Sequence, residues 1–250
     1  MISKEYLDES KKAVNDYIKA TVPICTIKYD NAGKRKTLPV GSSFYVKYQN
    51  EFFLITAYHV FYDAKPFLVP SINKKTLKKS LEELHYEKCF IKDIDLIILK
   101  LPQQIQDSNF IPYLLFESEL DDNYDIPKIY IAFGTPASKV HFYNGMMNGH
   151  FELFYSEEEN EEEYKRLNRN KVEHLLLQFD KANVISNGKR INAPHPNGMS
   201  GGCVVSLHPK IINPIRLEGI LIEWDIKRKK TMIALRKVCV KSLLEQIIKN

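Results

Sequence analysis

Gly198-Met199-Ser200-Gly201-Gly202 is followed at once by the apolar run Cys203-Val204-Val205. The stretch predicts a tight turn that leads straight into a buried strand, with the serine at its apex. Because glycine adopts backbone angles forbidden to residues with a Cβ atom, such a turn can aim successive N–H groups at one point. Acyl transfer needs such a point, since the substrate's carbonyl oxygen becomes an oxyanion in the transition state. Ordinary turns and phosphate loops share this composition, so the stretch alone does not decide the chemistry.

A histidine and an aspartate stand upstream in contexts that fit the same chemistry. His59 ends a run of apolar and β-branched residues, 54–58, that predicts a strand. Asp95 stands at the head of another apolar run, 96–99. Asp93 would face the same side of an extended strand as Asp95, because side chains two residues apart share a face. The sequence therefore offers one histidine and two candidate carboxylates to accompany the serine.

Three blocks in this order resemble the trypsin-like (chymotrypsin-fold, PA clan) serine peptidases, and their bacterial, HtrA-like branch more than the digestive trypsins. Thr56-Ala57-Tyr58-His59 is similar to the family's Thr-Ala-x-His block, Asp95 and its apolar run to the aspartate block, and Gly198 to Gly202 to Gly-x-Ser-Gly-Gly. Two smaller matches, Gly41 to Val46 and Gly219 to Ile222, resemble the strands that precede the histidine and follow the serine.

The resemblance covers residues 21 to 248 or so, and it implies an all-β fold of two six-stranded antiparallel β-barrels with a helix at each end. We expect an N-terminal amphipathic helix at 1–20, a first barrel at 21–115, a second at 116–237 and a C-terminal helix at 238–250. The apolar residues at both ends recur at helical spacing, which predicts the two helices independently. With 250 residues and 44% hydrophobic composition, the chain can bury a substantial core.

The resemblance implies a role for each residue of the three blocks. His59 would act as general base, Ser200 as nucleophile and Asp95 as the group that holds the histidine ring in the correct tautomer. Asp95 fits better than Asp93 because the family's aspartate directly precedes the apolar run. The N–H groups of Gly198 and Ser200 would bind the oxyanion. The first step would leave an acyl-enzyme on Ser200, which water then releases.

The resemblance also suggests where a substrate would lie. The composition of 183–197 predicts a loop, which would form one wall of the pocket for the side chain before the scissile bond. His195 in this loop is a candidate pocket residue, and a plain loop histidine is the alternative. The following strand resembles the one that binds an extended substrate main chain to main chain, with Ile220, Leu221 and Ile222 as the candidate contacts.

Met199 departs from the digestive trypsins. Those enzymes have an aspartate before the nucleophile, and it pairs with the N-terminal ammonium that zymogen cleavage releases. A methionine offers no such ion pair, so the readiness of the site must be set in another way. We expect an activating protein partner or an acidic loop to gate the site, and therefore low activity of the isolated chain on generic peptides.

Two segments predict long surface loops. Residues 157–163 contain six glutamates in seven positions, and a like-charge block of this kind predicts a solvated, mobile loop. The alternative is a docking or regulatory loop that senses a basic partner. Residues 61–86 are rich in Lys, Pro and Asn and predict a surface excursion with a short helix near 77–84.

Composition argues against several other classes of protein. Cys25, Cys89, Cys203 and Cys239 are spread singly, which predicts buried free thiols, no metal knuckle and no cofactor. The net charge is +5, and lysine-rich runs such as 227–230 lack interleaved aromatics, so we do not expect a nucleic-acid partner. No stretch approaches the roughly 20 apolar residues of a membrane span, and the charged N-terminus does not resemble a signal peptide. We therefore expect a cytoplasmic location without membrane attachment.

Three functions fit the sequence to different degrees. The first is a serine endopeptidase that cleaves an extended segment of a protein or peptide substrate. The second is a catalytically inactive module that keeps the groove and binds an extended peptide; the intact histidine, aspartate, serine and glycines argue against it. The third is a nucleic-acid accessory protein, for which only the scattered lysines speak.

Overall fold

Two β-sheets and a helix at each end account for most of the structure, a computed structural model. The structure describes residues 14–65, 86–102, 114–115, 129–143, 146–149, 151–179, 184–186, 189–192, 195–207, 215–225 and 230–249. The all-β prediction is confirmed, with six strands in each of the two main sheets. The helix predicted near 77–84 lies outside the described residues.

The first sheet lies within residues 21–115, the range predicted for the first barrel. Its strands are β1 (Thr21–Tyr29), β2 (Arg35–Tyr48), β3 (Glu51–Ala57), β4 (Glu87–Ile91), β5 (Leu96–Lys100) and β6 (Leu114–Leu115). They run in the order β1-β2-β3-β5-β4, all antiparallel, and β6 adds a short parallel pairing to β2. Gln49 and Asn50 join β2 to β3 with positive φ angles of 47° and 65°, as a tight hairpin turn requires.

The second sheet carries the serine turn. Its strands run in the order β10-β7-β14-β15-β16-β11, and two small hairpins, β8-β9 and β12-β13, stand apart from it. In chain order these strands are β7 (Ile129–Gly134), β8 (Val140–Tyr143), β9 (Met146–Gly149), β10 (Glu152–Ser156), β11 (His174–Gln178), β12 (Val184–Ser186), β13 (Lys189–Ile191), β14 (Cys203–Leu207), β15 (Ile215–Trp224) and β16 (Thr231–Arg236). The loop prediction for 183–197 is therefore wrong over β12 and β13, where Val184 pairs with Ile191. The surrounding Asn, Pro and Gly residues masked these three-residue strands.

Helices close the two ends of the described chain. Residues 14–20 form α1, in which Val14 and Tyr17 are buried, and Tyr17 stacks on Phe133 of β7 at 6.2 Å between ring centroids. Two short helices follow within the chain, α2 (Tyr58–Asp63) and α3 (Glu161–Arg166). The last helix, α4 (Lys237–Lys249), packs against β15 and against β4 of the first sheet. The apolar stripe predicted for this helix is its buried face: Val240, Leu243, Leu244 and Ile247.

The acidic stretch contacts the second sheet and ends in the helix α3, so the predicted loop is wrong there, whereas Glu157, Glu161 and Glu162 are exposed to solvent as predicted. Asn160 caps α3 by accepting a hydrogen bond from the N–H of Glu163, and Tyr164 is buried. Glu158 accepts a hydrogen bond from the hydroxyl of Tyr164 at 2.8 Å and pairs with Arg236 at 2.6 Å. The charge composition predicted a loop because it does not register the cations and hydroxyls that other parts of the chain bring to the glutamates.

No helix within the described ranges is both long enough and apolar enough to cross a bilayer. The longest, α4, has 13 residues, whereas a helical span needs about 20. Its buried stripe packs on the protein's own sheets.

The buried side chain of His174 should make the stability of the fold sensitive to acid. It is 5% exposed on β11, and neither ring nitrogen has a hydrogen-bond partner among the described residues. Burial lowers its pKa below 6.5, and the charge of nearby Arg169 adds to the lowering. The unfolded chain therefore binds this proton more tightly, and the free energy of unfolding should fall as pH drops below about 6.5.

We expect His174→Leu to reduce that acid loss, measured as the difference in thermal midpoint between about pH 7.5 and pH 5.5. His141 is exposed, so His141→Leu is the matched control and should keep the acid loss of the parent protein. An undiminished loss in His174→Leu would contradict the assignment.

Candidate active site

His59 and Asp95 are brought together by the pairing of β3 with β5. Ala57 at the end of β3 pairs with Leu96 at the start of β5, which sets the residues after one strand beside the residue before the other. Asp95 accepts two hydrogen bonds from His59, one from the backbone N–H at 2.9 Å and one from Nδ1 at 2.7 Å. Because an ionised carboxylate only accepts, Nδ1 carries the hydrogen and Nε2 remains available as a base.

The structure brings Asp95, and not Asp93, to the histidine. Asp93 lies in the short 3-10 turn Lys92–Ile94 and is exposed, whereas Asp95 follows that turn in the left-handed conformation with φ 59°. Its backbone carbonyl also accepts a hydrogen bond from the N–H of Tyr58 at 3.0 Å. Both the main chain and the side chain of Asp95 are thus fixed to the first turn of α2, which offsets the cost of the left-handed backbone.

The electrostatic surroundings of His59 favour its protonated form. The hydrogen bond to Asp95 is the largest cause that raises the pKa of His59 above 6.5; partial burial opposes it. The charges of Asp63 and Glu223 raise this pKa further. The neutral imidazole that a general base requires therefore predominates only at pH values above this raised pKa.

Ser200 lies at the apex of a turn that the first sheet holds in place. Ser42 of β2 donates its backbone N–H to the carbonyl of Ser200 at 2.7 Å and its hydroxyl to the carbonyl of Gly198 at 2.8 Å. Gly198 and Gly201 adopt φ angles of 91° and 89°, in the region that residues with a Cβ atom rarely enter. The sequence analysis missed Ser42, because no sequence pattern reveals a contact 156 positions away.

The serine turn also lies against the strand that delivers His59. A Cβ atom on Gly201 would stand 1.8 Å from the carbonyl oxygen of Ser42 and 2.4 Å from Oγ1 of Thr56. Thr56 lies three positions before His59 and donates its hydroxyl to the same carbonyl at 2.8 Å. The serine turn therefore packs at the seam between the two sheets, against the strand that leads to His59, although no hydrogen bond of the described residues joins the Ser200 hydroxyl to His59.

Two backbone N–H groups of the turn have no hydrogen-bond acceptor among the described residues, those of Gly198 and Ser200. The N–H groups of Met199, Gly201 and Gly202 are all used, for the carbonyls of Pro196, Leu221 and Met199 at 2.9, 2.6 and 2.9 Å. The alternation leaves donors at the two positions at which the sequence predicts an oxyanion hole. An anion that approached the seam would find these two groups uncommitted.

Gly201→Ala is expected to separate the two sheets at this seam. The new methyl group would collide with the backbone of Ser42, and the positive φ would add strain, so we expect a loss of at least ~4 kcal/mol in the free energy of unfolding. Urea denaturation measures it. Gly33→Ala is the matched control: its φ is 73°, nothing lies within 4 Å of a Cβ there, and it should cost only about 1–2 kcal/mol of backbone strain. Equal losses in the two variants would contradict the contact.

The strand beside the serine turn contributes its main chain and not its apolar side chains. Ile220, Leu221 and Ile222, the candidate substrate contacts, are all buried. Leu221 exchanges backbone hydrogen bonds with Gly201 and Gly202, at 2.6 and 2.8 Å, which fixes β15 against the turn. A ligand at this place would therefore meet the backbone of β15.

Two residues that sequence reasoning did not assign to the site lie at the end of β15. Glu223 is half-exposed, pairs with Arg169 at 2.8 Å and is close enough to raise the pKa of His59. Trp224 meets His195, with the rings perpendicular and their centroids 4.3 Å apart. His195 thus contacts the tryptophan at the end of β15. The one tryptophan of the chain, next to the predicted strand, was the signal that could have drawn attention to this contact.

The side chain of Met199 points into the protein interior. It is fully buried in an apolar cluster, and a Cβ atom on Gly134 would stand 2.8 Å from the Cβ of Met199. The residue before the serine is thus anchored by packing, where a charged residue would need a buried ionic partner.

The cysteines and metal-binding side chains add no further chemistry at the seam. All four cysteines are free thiols; Cys25 and Cys203 are buried, and Cys89 and Cys239 are half-buried. Burial raises the pKa of Cys25 to about 12, which makes it unreactive. Across the part of the chain that the structure describes, no three His, Cys, Asp or Glu side chains are grouped to hold a metal ion.

Comparison with known proteins identifies the fold. No protein-family model and no curated protein sequence matches the chain. Among solved structures, it is similar over 100% of its length to a serine endoprotease from Yersinia pestis, covering 69% of that chain with a TM-score of 0.51 and 18% identity. It is also similar over 98% of its length to the Rv3671c protease from M. tuberculosis in its active form, covering 86% of that chain with a TM-score of 0.52 and 14% identity. The chain therefore has the double β-barrel fold of the trypsin-like serine proteases, as the sequence resemblance implied.

Proposed function

We propose that the protein is a serine endopeptidase that cleaves an extended segment of a protein substrate through Ser200, His59 and Asp95. The observation that carries the proposal is the two-point hydrogen bonding of His59 to Asp95, which leaves Nε2 as a base at the seam to which the serine turn is fixed. The structural neighbours with this fold are serine proteases, which supports hydrolytic chemistry.

The chemistry follows from the roles of these groups. Nε2 of His59 removes the proton of the Ser200 hydroxyl as the oxygen attacks the scissile carbonyl. Asp95 stabilises the imidazolium that forms, and the N–H groups of Gly198 and Ser200 bind the oxyanion of the tetrahedral intermediate. The intermediate collapses as the imidazolium gives its proton to the departing amine, which leaves an acyl-enzyme. Water, deprotonated by His59, then attacks the acyl group and regenerates the serine.

An extended substrate fits the free edge of β15. The strand pairs with β14 only up to Ile220, opposite Cys203, whereas its pairing with β16 continues to Trp224. The N–H and carbonyl of Leu221 are taken by the serine turn, and beyond Leu221 this edge of β15 has no strand partner in the described chain. A peptide can add there as an extra strand, which would place a carbonyl group beside the serine turn.

We further propose that a protein partner gates the site. The Ser200 hydroxyl and His59 lie on one seam without a hydrogen bond between them, and catalytic hydrogen bonds commonly tighten only when a substrate binds. Met199 is held by apolar packing, so proteolytic release of an N-terminus has no acidic partner at this position. Low activity of the isolated chain on generic peptides is expected, and robust unassisted turnover would contradict gating.

A fluorophosphonate probe distinguishes the peptidase from an inactive peptide-binding module. Such probes phosphonylate a serine only when a base activates it and an oxyanion hole receives the phosphoryl oxygen. We expect mass spectrometry to locate the adduct on the peptide that contains Ser200. Absence of labelling under every condition, including the presence of candidate partners, would favour the binding module.

A further inference from the structure

The acidic segment, residues 157–166, is tied to the end of β15 by an ion pair. Arg166 of α3 contacts Asp225, the residue after β15, at 2.5 Å between Nη2 and Oδ2. The Asp225 side chain is only 5% exposed. Glu163 holds the other side of the guanidinium, accepting a hydrogen bond from its Nε at 2.8 Å. The acidic segment is rich in glutamate, yet it also places the cation of Arg166 against the buried carboxylate of Asp225.

A second set of contacts ties the acidic segment to β16. The hydroxyl of Thr231 lies 2.9 Å from Oε1 of Glu163 and 3.1 Å from Oε1 of Glu159, and these two carboxylates share its one hydrogen. The carbonyl of Thr231 accepts the backbone N–H of Asp225 at 2.8 Å. Arg166, Asp225, Thr231 and Glu163 therefore form a closed ring of contacts behind the last residues of β15. Movement of the acidic segment would disturb that strand end.

Trp224 stands between this ring of contacts and the serine turn. It precedes Asp225, is 8% exposed and packs on Phe179, with ring centroids 6.3 Å apart. On its other side the ring meets His195, five positions before Ser200. The contact of Trp224 with His195 thus joins the two chain segments that flank the serine, and we call this pair the aromatic wall.

The ion pair controls the aromatic wall because a buried carboxylate does not tolerate the loss of its cation. Removing Arg166 takes away a cation that compensates this buried charge, and the chain relieves that loss by exposing the carboxylate to water. Asp225 reaches water only if the end of β15 shifts. That shift moves Trp224 away from His195.

We propose that Arg166 is a positioning residue that, through Asp225, holds the aromatic wall in place for substrate binding. The wall forms the side of the pocket for the substrate side chain next to the cleaved bond, and this kinetic part rests on the proposed function. Arg166 lies outside the set of groups that transfer protons. Its loss therefore weakens substrate binding and leaves the chemical step largely intact.

Trp224 makes the proposal testable without any activity, because it is the only tryptophan of the chain. In Arg166→Gln we expect a red shift of its emission and stronger quenching by acrylamide, since the ring becomes exposed. KM should rise about tenfold, while kcat and the rate of fluorophosphonate labelling stay within about threefold of the parent protein. Arg166→Lys, which keeps the charge, should restore most of both readouts. Lys165→Gln is the matched control, an exposed cation one position earlier on α3, and should change nothing.

A double variant guards against a trivial loss of the fold. Asp225→Asn removes the buried charge, so Arg166→Gln combined with Asp225→Asn should lie closer to the parent protein than Arg166→Gln alone in emission and in KM. The proposal is overturned if the changes in the double variant equal the sum of those in Arg166→Gln and Asp225→Asn. Unchanged emission and KM in Arg166→Gln would overturn it as well. If the emission changes but neither peptidase activity nor fluorophosphonate labelling occurs under any condition, candidate partners included, the positioning role of Arg166 stands and the proposed function is refuted instead.

Discussion

Ser200→Ala is expected to abolish peptide hydrolysis and fluorophosphonate labelling. Without the hydroxyl there is no oxygen to attack the scissile carbonyl, and the acyl-enzyme has nowhere to form. In a well-studied serine peptidase the loss of the nucleophile lowers kcat by about 10⁶-fold, and we expect a loss of that order here. The measurement is turnover of the substrate under the conditions that activate the parent protein.

Ser242→Ala is the control for that experiment. Ser242 is exposed on α4, where alanine favours the helix, so this variant should label and turn over like the parent protein. The fold of Ser200→Ala should be unchanged, because the turn is held by the carbonyl of Ser200 and not by its hydroxyl. Residual hydrolysis within about tenfold of the parent protein would show that another group is the nucleophile.

Asp95→Asn is expected to cause the second largest loss, about 10⁴-fold in kcat, the size of the effect when the aspartate of a serine-protease triad is replaced by asparagine. The amide can donate a hydrogen bond to Nδ1 of His59, which leaves the proton on Nε2, the atom that must act as base. The pH dependence should change as well. Because Asp95 raises the pKa of His59, activity in the parent protein should fall as pH drops through a value above 6.5. In Asp95→Asn the pH below which activity falls, the acidic limit of activity, should be lower than in the parent protein.

Asp93→Asn provides a matched control two positions away. Asp93 is exposed in the turn before Asp95, and the structure gives it no contact with His59. We expect its kcat and its acidic limit to match those of the parent protein. If Asp93→Asn lost activity and Asp95→Asn retained it, the assignment of the carboxylate would be reversed.

The predictable part of the site depended on local patterns. Apolar and β-branched runs predicted the strands that end at His59 and begin after Asp95, and at those two ends β3 and β5 agree with the runs to within one residue. The glycines around Ser200 predicted the positive φ angles that the turn adopts. Each of these features is set by neighbouring residues, so the sequence reveals it directly.

The unpredicted part depended on contacts between distant residues. Charge composition predicted a loop at the acidic stretch, but Arg236 and Thr231 supply partners from 65 or more positions away. The link from Arg166 to Asp225 and the contact of His195 with Trp224 are likewise long-range. Sequence patterns report only on residues that are close along the chain. These contacts form only when the second sheet brings distant residues together.

N-terminal mapping of protein fragments in cells tests the central claim most directly, by comparing cells that express the parent protein with cells that express Ser200→Ala. The account predicts a small set of new N-termini in one or a few proteins, present with the parent protein and absent with Ser200→Ala and with Asp95→Asn. Identical sets of fragments in the parent and Ser200→Ala cells, together with a Ser200 that no fluorophosphonate labels, would contradict it.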